Sequence, residues 1–276
     1  MILVVGADGM LGRDMLALIG PAARGVDIGE IDITSLESTE RVIRTLKPET
    51  VINCAAYTDV DGCETNVEKA MQVNGEGVAH LALATREIGA RLVQVSSDYV
   101  FDGGKGTPYV EDDAPCPLGV YGESKLAGEL NAGFNPDHLI VRTQWLYGLH
   151  GKNFVETMLR LASEKDELSV VDDQVGSPTW TVDLSHAVLA LLKTGHRGIY
   201  HAANSGFCSW NGFAQAIFEE AGLSVKVRGM STDELNRPAR RPLYSTLDCS
   251  KLEQDTGFRP QPWRSALKTY LQLRNK

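Results

Sequence analysis

The run Met1-Ile2-Leu3-Val4-Val5-Gly6-Ala7-Asp8-Gly9-Met10-Leu11-Gly12 decides the fold class. Ile2 to Val5 is an unbroken apolar stretch of strand length, and the residues from Met10 to Ile19 read as the helix that follows it. Gly6, Gly9 and Gly12 stand at the turn between them, in the spacing G-x-x-G-x-x-G rather than G-x-G-x-x-G. A strand that feeds a helix through a turn bare of side chains can seat a dinucleotide pyrophosphate. Its backbone N–H groups and the helix N-terminus both favour an anion.

Outward from this loop the same alternation repeats. Gly25–Ile28, Val51–Cys54, Leu92–Val95 and Leu139–Val141 read as further short strands. Leu36–Leu46, Val67–Ile88 and Tyr121–Leu130 read as the helices between them, with Pro48 and Gly89 as stops. Apolar strands alternating with helices predict a doubly wound parallel α/β sheet of Rossmann type, covered on both faces. After Trp145 the pattern loosens. Residues 1–145 are therefore expected to form the dinucleotide-binding domain, and 146–276 mainly a smaller substrate-binding part that returns strands such as Gly198–His201 to the first sheet.

Composition excludes several classes. The 276 residues are 43% apolar and 23% charged, ordinary for a chain with a sizeable core. The net charge of −9 offers no basic footprint for nucleic acid. Five cysteines, none in C-x-x-C spacing, argue against a structural zinc site or a disulfide framework and fit a reducing compartment. With no long apolar span and no signal-peptide core, the expected location is the cytoplasm.

The candidate chemistry lies at the ends of the strands. Tyr121-Gly122-Glu123-Ser124-Lys125 is Y-x-x-x-K, which puts a phenol and an ammonium on one helix face. A neighbouring cation would lower the pKa of the phenol and make it a usable proton donor. On its own the pattern describes any exposed helix face. Ser96-Ser97-Asp98 follows the fourth strand, where a Ser97 hydroxyl can reach a substrate oxygen; Asp98 reads equally as a turn or cap residue. Cys54-Ala55-Ala56-Tyr57-Thr58 follows the third strand, and its small residues would let a cofactor lie close to the backbone. Asn74, unfavourable inside a helix, is a candidate for binding a carbonyl or water of the site, with packing as the competing role. Asp27, 21 residues after Gly6, is placed to hold the adenosine ribose, with Asp32 five residues on; each reads equally as a solvated loop carboxylate. Such an acid favours NAD, whereas the nearby Arg24 opposes that inference, so NADPH and NADH are both expected. Arg237, Arg240 and Arg241 suit a diphosphate, or else form a solvated loop.

Taken together, the loop Gly6–Gly12, the stretch Ser96-Ser97-Asp98-Tyr99-Val100-Phe101 and the pair Tyr121 and Lys125 resemble the extended short-chain dehydrogenase/reductases. Arg142-Thr143-Gln144-Trp145-Leu146-Tyr147-Gly148, Asn153-Phe154-Val155, Asp173 to Thr179 and Arg241-Pro242 narrow this to a resemblance to the dTDP-4-dehydrorhamnose reductase family over nearly the whole chain. The resemblance implies reduction of the C4 keto group of dTDP-4-dehydro-L-rhamnose to dTDP-L-rhamnose with a reduced nicotinamide cofactor. It implies Tyr121 as proton donor, Lys125 as holder of the cofactor ribose and tuner of Tyr121, and Ser97 as the group that polarises the carbonyl. Gly9, Met10, Leu11, Asp32, Ile33, Ala56, Tyr57 and Thr58 match cofactor contacts; Ser97, Asp98 and Trp145 match sugar-nucleotide contacts. Some members are magnesium-linked dimers through glutamates. Those glutamates are not matched here, so no metal site is expected, while a homodimer stays among the expectations. Two alternatives follow from the same scaffold: a non-catalytic NADP-binding subunit like that of methionine adenosyltransferase, and a sugar-nucleotide epimerase or dehydratase.

Overall fold

The computed structural model describes residues 1–274. Strands β1 (Ile2–Val5), β2 (Ala23–Val26), β3 (Thr50–Asn53), β4 (Arg91–Ser97) and β5 (His138–Thr143) form one sheet together with Gly198–His201. Its order is Gly198–His201, β5, β4, β3, β1, β2, and every pairing is parallel. Val4, Val93, Val141 and Tyr200 point to one face, against the buried stripe Leu184, Ala187, Val188 and Leu191 of helix Thr181–Thr194 and Met15 of helix α1 (Met10–Ile19). Leu3, Val51 and Leu92 point to the other, under helices α2 (Leu36–Leu46) and α5 (Gly77–Glu87). A sheet wrapped on both faces explains why its strands read as continuous apolar runs rather than alternating ones. A separate apolar core, including Tyr147, Phe213, Phe218 and Tyr270, holds together the C-terminal part.

Local chemistry sets the element ends. The Ser35 side chain caps α2 by accepting from Ser38 N at 3.2 Å, and Lys47 closes it in the left-handed region. The second strand begins two residues earlier than its sequence suggests and stops before Asp27, which turns to the glycine loop. β4 runs on through Ser96 and Ser97, so these two lie in the strand rather than after it. The helix expected over Val67–Ile88 is broken. Helix α4 (Val67–Met71), preceded by the short helix α3 (Val60–Thr65), gives way to a π-turn at Gln72–Glu76 before α5 begins. Single π-turns inside helices recur at functional sites, and this one carries Asn74. The strand Lys226–Met230, paired in parallel with Glu167–Val171, has no alternating pattern in sequence and its residues are half-buried or exposed.

Candidate active site

The chain order reverses between β1 and β3, and open parallel sheets bind ligands outside the strand ends at that point. Here the glycine loop meets the segment after β3. Gly6 has φ +78°, and a Cβ on it would lie 2.6 Å from Ala55 N. A Cβ on Gly12 would lie 2.2 Å from the Gly6 carbonyl oxygen. Helix α1 has Gly9 at its N-cap, with no side-chain cap and no acidic residue in its first turn, which leaves its N–H groups to an external anion. A cleft of about 370 Å³ opens over this turn, lined among others by Gly6, Gly9, Asp27, Asp32, Ile33, Ala56 and Tyr57. Backbone cradle, uncapped helix and small residues fit a dinucleotide, which Gly6, Gly9 and Ala56 would hold. Asp27 lines the cleft, but its carboxylate already accepts from Asp8 N and Ile28 N, each at 2.8 Å. It therefore shapes the loop as well as facing the cleft. Asp32 makes a turn of its own, accepting from Thr34 N at 3.0 Å.

The loop after β3 is held from below. Asn74 accepts from Tyr57 N at 2.8 Å and donates to Tyr57 O and to Ser124 Oγ, both at 3.0 Å. Its amide is thus occupied by the protein rather than turned to a substrate. Through Ser124 it links this loop to helix α6 (Val120–Ala132). That helix has glycine at its N-cap, and Glu64 of α3 accepts from Val120 N at 3.0 Å in place of a cap.

Helix α6 presents Tyr121, Lys125 and Glu129 at four-residue steps. Lys125 is only 4% exposed and donates to Val95 O of β4 at 2.8 Å. Burial lowers its pKa to about 8, against the opposing field of Glu129. Glu129 is clamped by Arg142 of β5, at 2.9 and 2.7 Å, and accepts from Ser96 Oγ at 2.5 Å. Tyr121 differs from expectation. Burial and the nearby Asp98 carboxylate push its pKa above the ordinary phenol value, and the neighbouring Ser97 hydroxyl only partly offsets this. Lys125 is turned to Val95 O, and with burial and Asp98 acting on it the phenol stays protonated.

Ser97 lies at the end of β4, beside Tyr121. It donates to Asp98 Oδ1 at 3.0 Å and accepts from Tyr99 N at 3.2 Å. Asp98 is 1% exposed, and both its oxygens are taken, the second by Ser245 Oγ at 2.5 Å. The carboxylate expected to meet the sugar nucleotide thus faces the protein. Trp145 follows β5 with φ +48°, a strained value for such a side chain, and stacks on Trp210 at 3.6 Å. Gly176 leaves room for its ring, since a Cβ there would sit 2.5 Å away. Arg241 pairs with Asp61 of α3 at 3.0 Å, and Arg237 with the same carboxylate at 3.5 Å. These arginines and Arg240 line a second cleft of about 760 Å³. A third, of about 790 Å³ between Phe154–Ala162 and the C-terminal helix Trp263–Arg274, contains none of the site residues. Among the described residues no cluster of histidine, cysteine and carboxylate side chains is suited to a metal. No described helix is long and apolar enough to cross a membrane.

Sequence reasoning did not find Ser245, Asp61, Glu129 or Trp210. Only Glu129 had a signal, the four-residue step from Lys125; the others meet their partners across more than 60 residues of chain.

With the geometry in hand, the likeness to known proteins is specific. Residues 1–275 match the family model described as RmlD substrate binding domain. The dTDP-4-dehydrorhamnose reductase of Mycobacterium tuberculosis is 46% identical, over 98% of this chain and 92% of that protein. The crystal structure of a dTDP-4-dehydrorhamnose reductase from Clostridium acetobutylicum superposes with a TM-score of 0.98 at 43% identity, covering 100% of this chain and 99% of that one. That of the Bacillus anthracis enzyme, in complex with NADP, gives 0.96 at 38% identity over 99% and 98%. The chain belongs to the dTDP-4-dehydrorhamnose reductase family.

Proposed function

We propose that this chain reduces the C4 keto group of dTDP-4-dehydro-L-rhamnose to give dTDP-L-rhamnose, using NADPH or NADH. The observation that carries the reading is the meeting of Ser97, at the end of β4, with Tyr121 of α6, the helix whose Lys125 lies near Cys54 in the wall of the cleft over the glycine turn. When bound, the nicotinamide supplies the hydride. The residues do the rest. Tyr121, held protonated by burial, delivers its proton to the ketone oxygen; a raised pKa suits the reducing direction, in which the phenol must arrive as an acid. Ser97 aligns that oxygen. Lys125, fixed to Val95 O, is a buried cation that would hold the cofactor ribose and can replace the lost phenol proton. Arg241, held by Asp61, faces the substrate diphosphate, and Trp145 lies against the sugar. The same reading places the reaction in the cytoplasm, in keeping with five free thiols.

The test is the absorbance of the reduced nicotinamide, followed with dTDP- and UDP-linked 4-keto sugars. Stoichiometric loss of the reduced cofactor is expected with the dTDP sugar. A cofactor that stays tightly bound with no net consumption would move the chain to the epimerases and dehydratases. No turnover, together with a co-purifying partner, would make it a regulatory subunit.

A further inference from the structure

The Ser97 hydroxyl has one proton and two lone pairs. In this structure the proton goes to Asp98 and one lone pair takes Tyr99 N–H, with Tyr121 close by. Ser97 thus has no proton left for a ketone. The other end of Asp98 is held by Ser245, which is 1% exposed and backbone-anchored to Val175, with Ser245 N donating to Val175 O at 3.0 Å. Tyr109 N donates to Thr246 O at 2.8 Å from the opposite side. Ser245 is therefore fixed, and its hydroxyl favours the ionised form of Asp98. The other groups around Asp98 are the phenols of Tyr99 on its own turn and Tyr121 on α6; Arg241 and Asp61 act on Tyr99 from their loop and helix. Among the described residues Asp98 has no ion-pair partner within 4.0 Å.

We propose that Ser245 is a positioning residue: through Asp98 it sets whether Ser97 gives its proton to the protein or to the substrate carbonyl, and neutral Asp98 is the productive form. This rests on the reductase reading. When Asp98 is protonated, its O–H donates to Ser97 Oγ. Together with Tyr99 N–H this fills both lone pairs. The Ser97 proton and the Tyr121 hydroxyl then both turn to the ketone oxygen. No covalent step is added, and the proton that ends on the product still comes from Tyr121. Burial lifts Asp98 to about 6 while Ser245 and Ser97 pull it down, so both forms are populated near neutral pH.

The experiment is the pH profile of kcat/KM for the full chain with NADPH and the dTDP-linked 4-keto sugar. The wild type is expected to lose activity as pH rises through about 6. Ser245→Ala removes a hydrogen bond to the charged carboxylate, so the falling limb should move up by about one to two pH units. Ser245→Thr should restore the wild-type limb. Asp98→Asn, whose amide donates to Ser97 at every pH, should flatten the limb. A merely structural Ser245 would lower activity evenly without moving the limb. An unmoved limb in Ser245→Ala, or a wild-type limb in Asp98→Asn, overturns the proposal. A wild-type protein without turnover sinks the reductase reading itself, whereas a turning-over wild type with an unmoved limb sinks only the role of Ser245.

Discussion

Around Gly6 the wall of the crevice is backbone: a glycine at φ +78°, a carbonyl that would collide with any Cβ on Gly12, and an uncapped helix start. Around Asp98 it is side chains, each supplied from a different stretch: Ser97 from β4, Tyr121 from α6 and Ser245 from near the C-terminus. The first wall works because atoms are missing, and its residues are neighbours in sequence. The second works because polar atoms meet, and Tyr121 and Ser245 are brought to Ser97 and Asp98 from distant stretches of chain. The two walls should therefore fail differently when altered.

The largest separation is expected from Tyr121→Phe. Removing a general acid costs about 10²–10⁴-fold in rate, while the backbone cradle is untouched. Turnover should fall by that factor and the cofactor Kd, read by nucleotide fluorescence, should stay the same. Turnover within a few-fold of wild type would remove Tyr121 from the chemistry.

This division also decides what could be read from sequence. The glycine loop and the alternating strands were legible, since a positive-φ turn demands glycine and a doubly covered sheet demands unbroken apolar strands. The Y-x-x-x-K pair was legible because a helix fixes its spacing. The state of Tyr121 was not. The Lys125 charge suggested a lowered pKa, and only the fold shows that Lys125 is bound to Val95 O while burial and Asp98 push the phenol upward. The π-turn at Gln72–Glu76 was equally hidden, because Ala70, Val73, Val78 and Leu81 suit an unbroken helix. Ser245 and Asp61 carry no local pattern at all.

Behind the side-chain wall, Arg142 and Glu129 are both almost fully buried and bonded twice to each other. Arg142→Leu leaves Glu129 charged and unpaired inside the protein, at a cost of about 3–5 kcal/mol. Denaturant unfolding measures it. A loss under about 1 kcal/mol would show that Ser96 alone can satisfy the carboxylate. Gly6→Ala tests the opposite wall. Strain at a positive-φ site costs about 1–3 kcal/mol, and the added methyl lies against Ala55 N. The melting temperature should fall and cofactor Kd rise, with KM for the sugar nucleotide, measured at saturating cofactor, unchanged.

The smallest effect, and the sharpest test of whether the walls are independent, comes from Asp61→Ala. Asp61 fixes Arg241 and Arg237 and accepts from Ala239 N at 3.2 Å, so one carboxylate orders the whole loop. The pairs are partly exposed, and such pairs contribute little to stability, about 0–1 kcal/mol. The melting temperature should therefore barely move. What is lost is chiefly the ordering of the Arg241 side chain, the closer and more buried partner, before the substrate binds. Re-immobilising a side chain of this kind costs about 0.5–1.5 kcal/mol, which corresponds to a rise in sugar-nucleotide KM of roughly 2- to 10-fold. Cofactor Kd should not change, because no atom of Asp61 reaches the glycine turn. An equal loss of cofactor affinity would mean that the arginine loop and the glycine loop move together, and the separation of the two walls would be wrong.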